Sequence, residues 1–222
     1  MSTLSAAPAR VHRLVASQFP PIDLFDQVAA AADLPDVIEL AGWTNDRLVA
    51  ERLRRLPESE WVFGVANASV VMAAFLHVQP GGSRFNTEDL GAWYAAVSIT
   101  SAIVEVAHHL RREAAVRGLP DARRKFRQYS ATAGGAYLDL RGRQVEHGDI
   151  YDPNSYQASQ ILGESVRASG GAGILYDSVR HLGGTNIVVH RPRNLALITQ
   201  LDHFEITIQT AGNQIGARKL PA

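Results

Sequence analysis

Cysteine is absent from the 222 residues, and only two of the 22 cationic side chains, Lys125 and Lys219, are lysines. The first absence removes thiolate nucleophiles, disulfide frameworks and cysteine-held zinc or iron–sulfur centres. The second leaves little scope for Schiff-base chemistry. Net charge is missing too, because 22 Lys+Arg balance 22 Asp+Glu. That balance argues against a general nucleic-acid coat, which neutralises phosphates with a cationic surface. No stretch approaches the ~20 apolar residues of a membrane span. Met1 to Pro8 carry no apolar signal-peptide core, so a cytoplasmic location is expected.

What is present suits a globular domain: 46% of the residues are hydrophobic, enough for a sizeable core. The charge is unevenly spread. Residues 22–60 carry nine acids against four arginines, whereas residues 108–143 carry eight arginines and Lys125 against three acids. The basic stretch reads first as a solvated helix face plus a loop, and second as a docking surface for an acidic ligand.

Periodicity outlines the elements. After Pro20-Pro21, residues 22–28 have helical spacing and acids in the first turn, with Pro35 as the stop, and a second helix is expected from Asn45 to Leu56. Val70 to Leu76 is continuously apolar and reads as a buried strand, followed by a glycine turn at Pro80-Gly81-Gly82-Ser83 and a short apolar run over residues 92–97. The strongest helix begins at an N-cap, Ser98. It carries a stripe of Ile99, Ala102, Ile103, Val106 and Leu110, and ends at Gly118 and Pro120. Residues 126–140 read as β-structure broken by Gly134-Gly135, and residues 156–168 as a helix. Four short strands are expected at 173–177, 186–190, 195–201 and 204–210. Without a regular βαβ alternation, the mixture predicts an α+β fold.

Most chemical motifs fail on inspection. Glu105-x-x-His108 is half of a di-iron carboxylate pattern, but the second half is missing. No metal is expected, and His108 and His109 read as solvated or partly buried. Gly170-Gly171-Ala172-Gly173 precedes a strand, the reverse of a dinucleotide fingerprint. Neither a P-loop nor G-x-S-x-G occurs. What remains is a set of polar residues in apolar surroundings: Arg84 after the glycine turn, Tyr94 in the apolar run, Glu105 on the flank of the helical stripe and Ser178 after a strand.

Taken together these residues resemble the RES domain family, named for an arginine, a glutamate and a serine, which includes toxins of bacterial toxin–antitoxin pairs. A Tyr-Arg-Leu-like strand is seen as Val11-His12-Arg13-Leu14, and a Gly-Gly-Arg-Trp-Asn turn as Gly82-Ser83-Arg84-Phe85-Asn86. Tyr94 follows Arg84 by ten residues and Glu105 follows Tyr94 by eleven. Tyr156 to Gly163 looks like the family's helix, Gly173 to Arg180 matches its serine-bearing strand end, and Gly183-Gly184-Thr185-Asn186 with Pro192 completes the pattern. The likeness covers residues 61–200 and the Arg13 strand. Phe85 and Ser83 depart from it, as do about 65 residues between Arg13 and Arg84 that compact members lack.

The resemblance implies an ADP-ribosyltransferase-like α+β fold of mixed sheets with flanking helices. Residues 1–60 would form an N-terminal strand and helical extension, and residues 61–222 an NAD+-binding catalytic domain. It implies an enzyme that takes NAD+ as substrate and cleaves the nicotinamide–ribose bond, with phosphate or water as acceptor. Glu105 is the main catalytic candidate, suited to stabilising oxocarbenium character. Arg84 suits a pyrophosphate or an incoming phosphate, and Tyr94 offers a face and a hydroxyl to nicotinamide. Ser178 contributes a hydrogen bond, with Asn186 and Arg13 as further ligand contacts. The expected partner is an Xre-like antitoxin in a hetero-oligomer, with neither nucleic acid nor membrane. The alternatives are a protein ADP-ribosyltransferase toxin of the same fold and a non-catalytic binding module.

Overall fold

The computed structural model describes residues 3–18, 25–26 and 47–221. Nine strands form one sheet: β1 (Leu4–Ala6), β2 (Val11–Ala16), β3 (Trp93–Ala96), β4 (Asp121–Ala133), β5 (Ala136–Asp139), β6 (Gly173–Asp177), β7 (Thr185–Val189), β8 (Leu195–Gln209) and β9 (Ile215–Lys219). Their order is β1-β5-β6-β7-β3-β2-β4-β8-β9. Every neighbouring pair is antiparallel except β5 with β6. Among the described residues four helices flank the sheet: α1 (Arg47–Arg55), α2 (Ala68–Leu76), α3 (Ile99–Val116) and α4 (Gln157–Ala168). The fold is α+β.

Strand alternation sorts the core onto the two faces of this sheet. Val11 on β2, Trp93 and Ala95 on β3, and Tyr129 and Ala131 on β4 join the α2 residues Val71, Met72 and Phe75 in one buried cluster. The opposite face carries two further clusters. Leu14, Ala96, Phe126 and Ile206 pack under Ala102, Ala107 and Leu110 of α3. Ile174, Tyr176 and Val188 pack with Phe85 beside Leu162 and Val166 of α4. α3 and α4 thus share one face, and the space between them is where a ligand can enter.

Residues 70–76, expected as a strand, are helical. A segment buried on all sides has no polar face and so no 3.6-residue period to read. Here Val71, Met72, Phe75 and Leu76 are all at most 1% exposed. The N-terminus of α2 is capped from a distance, since the Asp26 carboxylate accepts from the backbone N–H of Asn67 (2.6 Å) and of Ser69 (2.7 Å). The helix expected at 22–35 lies outside the described residues apart from Phe25 and Asp26. α1 falls within the range expected for it, and α3 has the expected cap, with Ser98 Oγ accepting from Ser101 N.

The two strands expected at 195–201 and 204–210 are one strand, β8. It keeps pairing with β4 across register shifts, so polar Asp202-His203 is not a turn but a half-buried stretch of ribbon. β1 and β9 were not anticipated. β2, from the N-terminal segment, lies mid-sheet between β3 and β4. Four arginines of the basic stretch pair with acids close in sequence: Arg124 makes a two-pronged bond to Glu113, Arg117 also reaches Glu113, and Arg141 and Arg143 pair with Asp139 and Glu146.

Candidate active site

A cleft of about 360 Å³ opens beside α3, floored by β2, β3 and β7 and bounded by Tyr156 at the start of α4. The α3 wall carries Glu105. Its Oε1 accepts from Ser178 Oγ (2.6 Å) and from Asn186 Nδ2 (2.7 Å). Asn186 lies on β7 and Ser178 just after β6, so neighbouring strands deliver both donors to one helical carboxylate. Ser178 is buried, and its oxygen accepts the backbone N–H groups of Arg180 (3.1 Å) and His181 (2.9 Å). Among the described residues no hydrogen bond reaches Glu105 Oε2. That oxygen is the one available to a ligand.

The opposite wall is built from the turn after Gly82 and from β3. Tyr94 Oη accepts from Phe85 N (2.8 Å) and donates to Asn86 Oδ1 (2.8 Å). Burial raises the Tyr94 phenol well above its ordinary value, so it stays protonated as a donor. Arg84 is buried: its Nη1 donates to the carbonyls of Ile150 (2.8 Å) and Asp152 (3.0 Å), and its guanidinium lies 4.7 Å from the Tyr156 ring centroid. α4 clamps this turn closely. A Cβ on Gly163 would sit 2.1 Å from the Phe85 carbonyl oxygen, so glycine is required there.

Arg13 behaves differently from the other candidates. β2 and β3 share a single paired position, His12 opposite Ala96. Beyond it Arg13 bridges the strands by donating to the Tyr94 carbonyl (3.0 Å), with its guanidinium 4.9 Å from the Trp93 ring centroid. Trp93 belongs to the α2 face, so Arg13 borders the cleft through the parting rather than from the Glu105 side. Burial pushes it down to about 10, still charged at neutral pH.

Of the sequence candidates, the structure joins Glu105, Ser178 and Asn186 by direct bonds. Arg84 and Tyr94 line the same cleft but are bonded elsewhere. Several lining residues went unassigned in the sequence, among them Asn86, Tyr156, Arg180, His108 and His109. Arg180 donates to the Pro153 carbonyl (2.7 Å). His109 is one helical turn after Glu105, a spacing legible in the sequence. Burial, aided by Arg180, holds His108 down to about 4, and burial also lowers His109 against the pull of Glu105. Both are neutral at pH 7. Among the described lining residues Glu105 is the sole carboxylate, against Arg13, Arg84 and Arg180. The cleft is therefore cationic around one acid, an arrangement suited to an anionic ligand with a site of developing positive charge.

A family model described as RES domain matches residues 52–209. The chain belongs to the RES domain family. This match takes in all the site residues named above except Arg13, which precedes it. Among solved structures, a chain of the M. tuberculosis MbcT–MbcA toxin–antitoxin complex is similar. The two are 21% identical, with 54% of this chain and 72% of that chain covered and a TM-score of 0.41. No curated protein matches the chain. Among the described residues, no group of three or more His, Asp or Glu side chains is arranged to hold a metal, and no helix is long and apolar enough to cross a membrane.

Proposed function

We propose that this RES domain protein is the toxin of a bacterial toxin–antitoxin pair and that it consumes NAD+ by cleaving the nicotinamide–ribose bond. The observation that carries the reading is Glu105: a carboxylate fixed through Oε1 and available through Oε2, alone among arginines in a cleft. The C–N bond breaks with its electron pair moving to the positively charged pyridinium nitrogen, so nicotinamide leaves neutral. Positive charge grows on the anomeric carbon and ring oxygen, and the Glu105 carboxylate stabilises it. Water or phosphate oxygen then bonds to that carbon. Water loses a proton to give ADP-ribose, and phosphate gives the phosphorylated sugar. The arginines attract the pyrophosphate, while Asn186 and Ser178 keep the carboxylate aimed.

In this reading the ADP-ribosyltransferase-like catalytic domain spans residues 61–222, with residues 1–60 as its N-terminal strand and extension. The partner is an Xre-like antitoxin that covers the cleft, and the setting is the cytoplasm. The test is incubation of purified protein with NAD+, with and without phosphate, and identification of the products. Free nicotinamide with ADP-ribose, or with its phosphorylated form when phosphate is present, is expected. Intact NAD+ after prolonged incubation sinks the reading. ADP-ribose appearing only on proteins replaces it with a protein ADP-ribosyltransferase. The partner is tested by co-purification with the product of the neighbouring reading frame and by the inhibition that product causes.

A further inference from the structure

The segment 178–184 leaves β6 and returns to β7 as a tight loop, with Ser178 N donating to Gly184 O (2.8 Å) and Gly184 N to His181 O (2.8 Å). This loop is fastened to α3 twice. One tie is Ser178 Oγ to Glu105 Oε1. The other is His181 Nδ1 to Ser101 Oγ at 2.8 Å. Ser101 precedes Glu105 by four residues, so the two ties lie one turn apart on the same helix face.

We propose that His181, acting through Ser101, is a positioning residue that holds Ser178 on Glu105. Three observations converge on it. A hydroxyl has one proton and two lone pairs. The Ser178 oxygen already accepts the N–H groups of Arg180 and His181, so its proton is directed at Glu105 by the loop backbone rather than by a free rotamer. What sets that backbone against the helix is the His181–Ser101 bond. Ser101 is 1% exposed and is itself held by Ser98, whose Oγ lies 2.9 Å from Ser101 Oγ and accepts from Ser101 N. The loop is also packed for this contact, since a Cβ on Gly184 would lie 2.7 Å from Ser101 Oγ and 2.9 Å from His181 Nδ1. Ser101 is too deeply buried to meet a substrate, so the pair works by placement and not as nucleophile and base. Asn186 supplies the second donor to Glu105 from the rigid β7 strand, which leaves the loop as the adjustable arm.

The consequence for turnover rests on the proposed NAD+ reaction, so the experiment separates the two. Ser101→Ala, His181→Ala and His181→Asn are compared with the parent protein by amide hydrogen exchange and by NAD+ turnover. Exchange reads the tie without any reaction: the Arg180 and His181 amides should lose protection in Ser101→Ala and His181→Ala and keep it in His181→Asn, whose amide reaches the Nδ1 position. Unchanged protection in both alanine variants overturns the proposal. In turnover, misplacing a reacting group by about 1 Å costs as much as ~100-fold, so a 10- to 100-fold fall in kcat is expected with KM little changed. Because Ser101 and Ser178 act through one carboxylate, Ser101→Ala with Ser178→Ala should be no worse than the more damaging single change. Multiplying losses contradict the inference. An inactive parent protein defeats the NAD+ reading alone, and the exchange result then decides the tie.

Discussion

The two walls of the cleft spend their polar groups differently. On the 84–94 wall the interior has already claimed them: the Tyr94 hydroxyl serves Phe85 and Asn86, and Arg84 Nη1 serves two carbonyls of the 150–152 segment. On the α3 wall Glu105 keeps one oxygen uncommitted, and the groups around it serve to hold the other. Residues that read alike in the sequence, as three polar positions at fixed intervals, therefore separate into two that are bonded into the fold and one carboxylate that the proposed function makes the reacting group. Changes to the first should be felt mainly as stability and substrate affinity. Changes to the second should be felt as turnover.

The largest effect is expected from Glu105→Gln. Loss of one preorganised charge-stabilising group typically costs ~10²- to 10³-fold in turnover, and the thermal midpoint should hardly move because an amide still accepts from Ser178 and Asn186. Gly163→Ala probes the other wall. Its Cβ would collide with the Phe85 carbonyl, so about 3 kcal/mol of stability should be lost in urea titration, with turnover of the molecules that remain folded preserved. Tyr94→Phe leaves the Phe85 N–H without its acceptor, a cost of about 2 kcal/mol. The same variant should raise KM more than it lowers kcat; the reverse split would move Tyr94 to the reacting side.

Acid should weaken the scaffold wall as well. His190, 2% exposed and close to Arg167, is lowered by burial to about 3. An unfolded histidine takes up its proton near pH 6.5, so below that pH the unfolded chain binds the extra proton and the native state does not. Stability from this group is complete above about pH 6.5 and falls by up to about 1.4 kcal/mol per unit as the pH drops towards 3. Urea midpoints at pH 7.5 and 5.5 measure the decline, and His190→Gln should make it shallower, leaving the share contributed by His108.

Local signals were the legible part. Ser98 and the α3 stripe announce a helix because capping and amphipathicity are properties of a few adjacent residues. The intervals from Arg84 to Tyr94 to Glu105 are readable because one turn, one strand and one helix follow without interruption. α2 hid its type because burial on every side erases periodicity. β8 was read as two strands because polar Asp202-His203 in its middle resembles a turn, and β9 hid because its largely exposed ribbon carries Arg218 and Lys219, which read as a tail. The partners of Arg84 are backbone carbonyls 66 and 68 residues away, which no side-chain pattern encodes. The same is true of Ser101 and His181, 80 residues apart.

Whether Glu105 carries out the reaction while the opposite wall shapes the cleft and contributes affinity is settled by comparing NAD+ binding with nicotinamide release. Wild-type protein and Glu105→Gln are each titrated with NAD+ by calorimetry, and released nicotinamide is quantified in the same samples. Both should bind with affinities within a few-fold of each other, while Glu105→Gln should release nicotinamide ~10²- to 10³-fold more slowly than the wild type. Equal release by the two proteins would contradict a reacting role for Glu105.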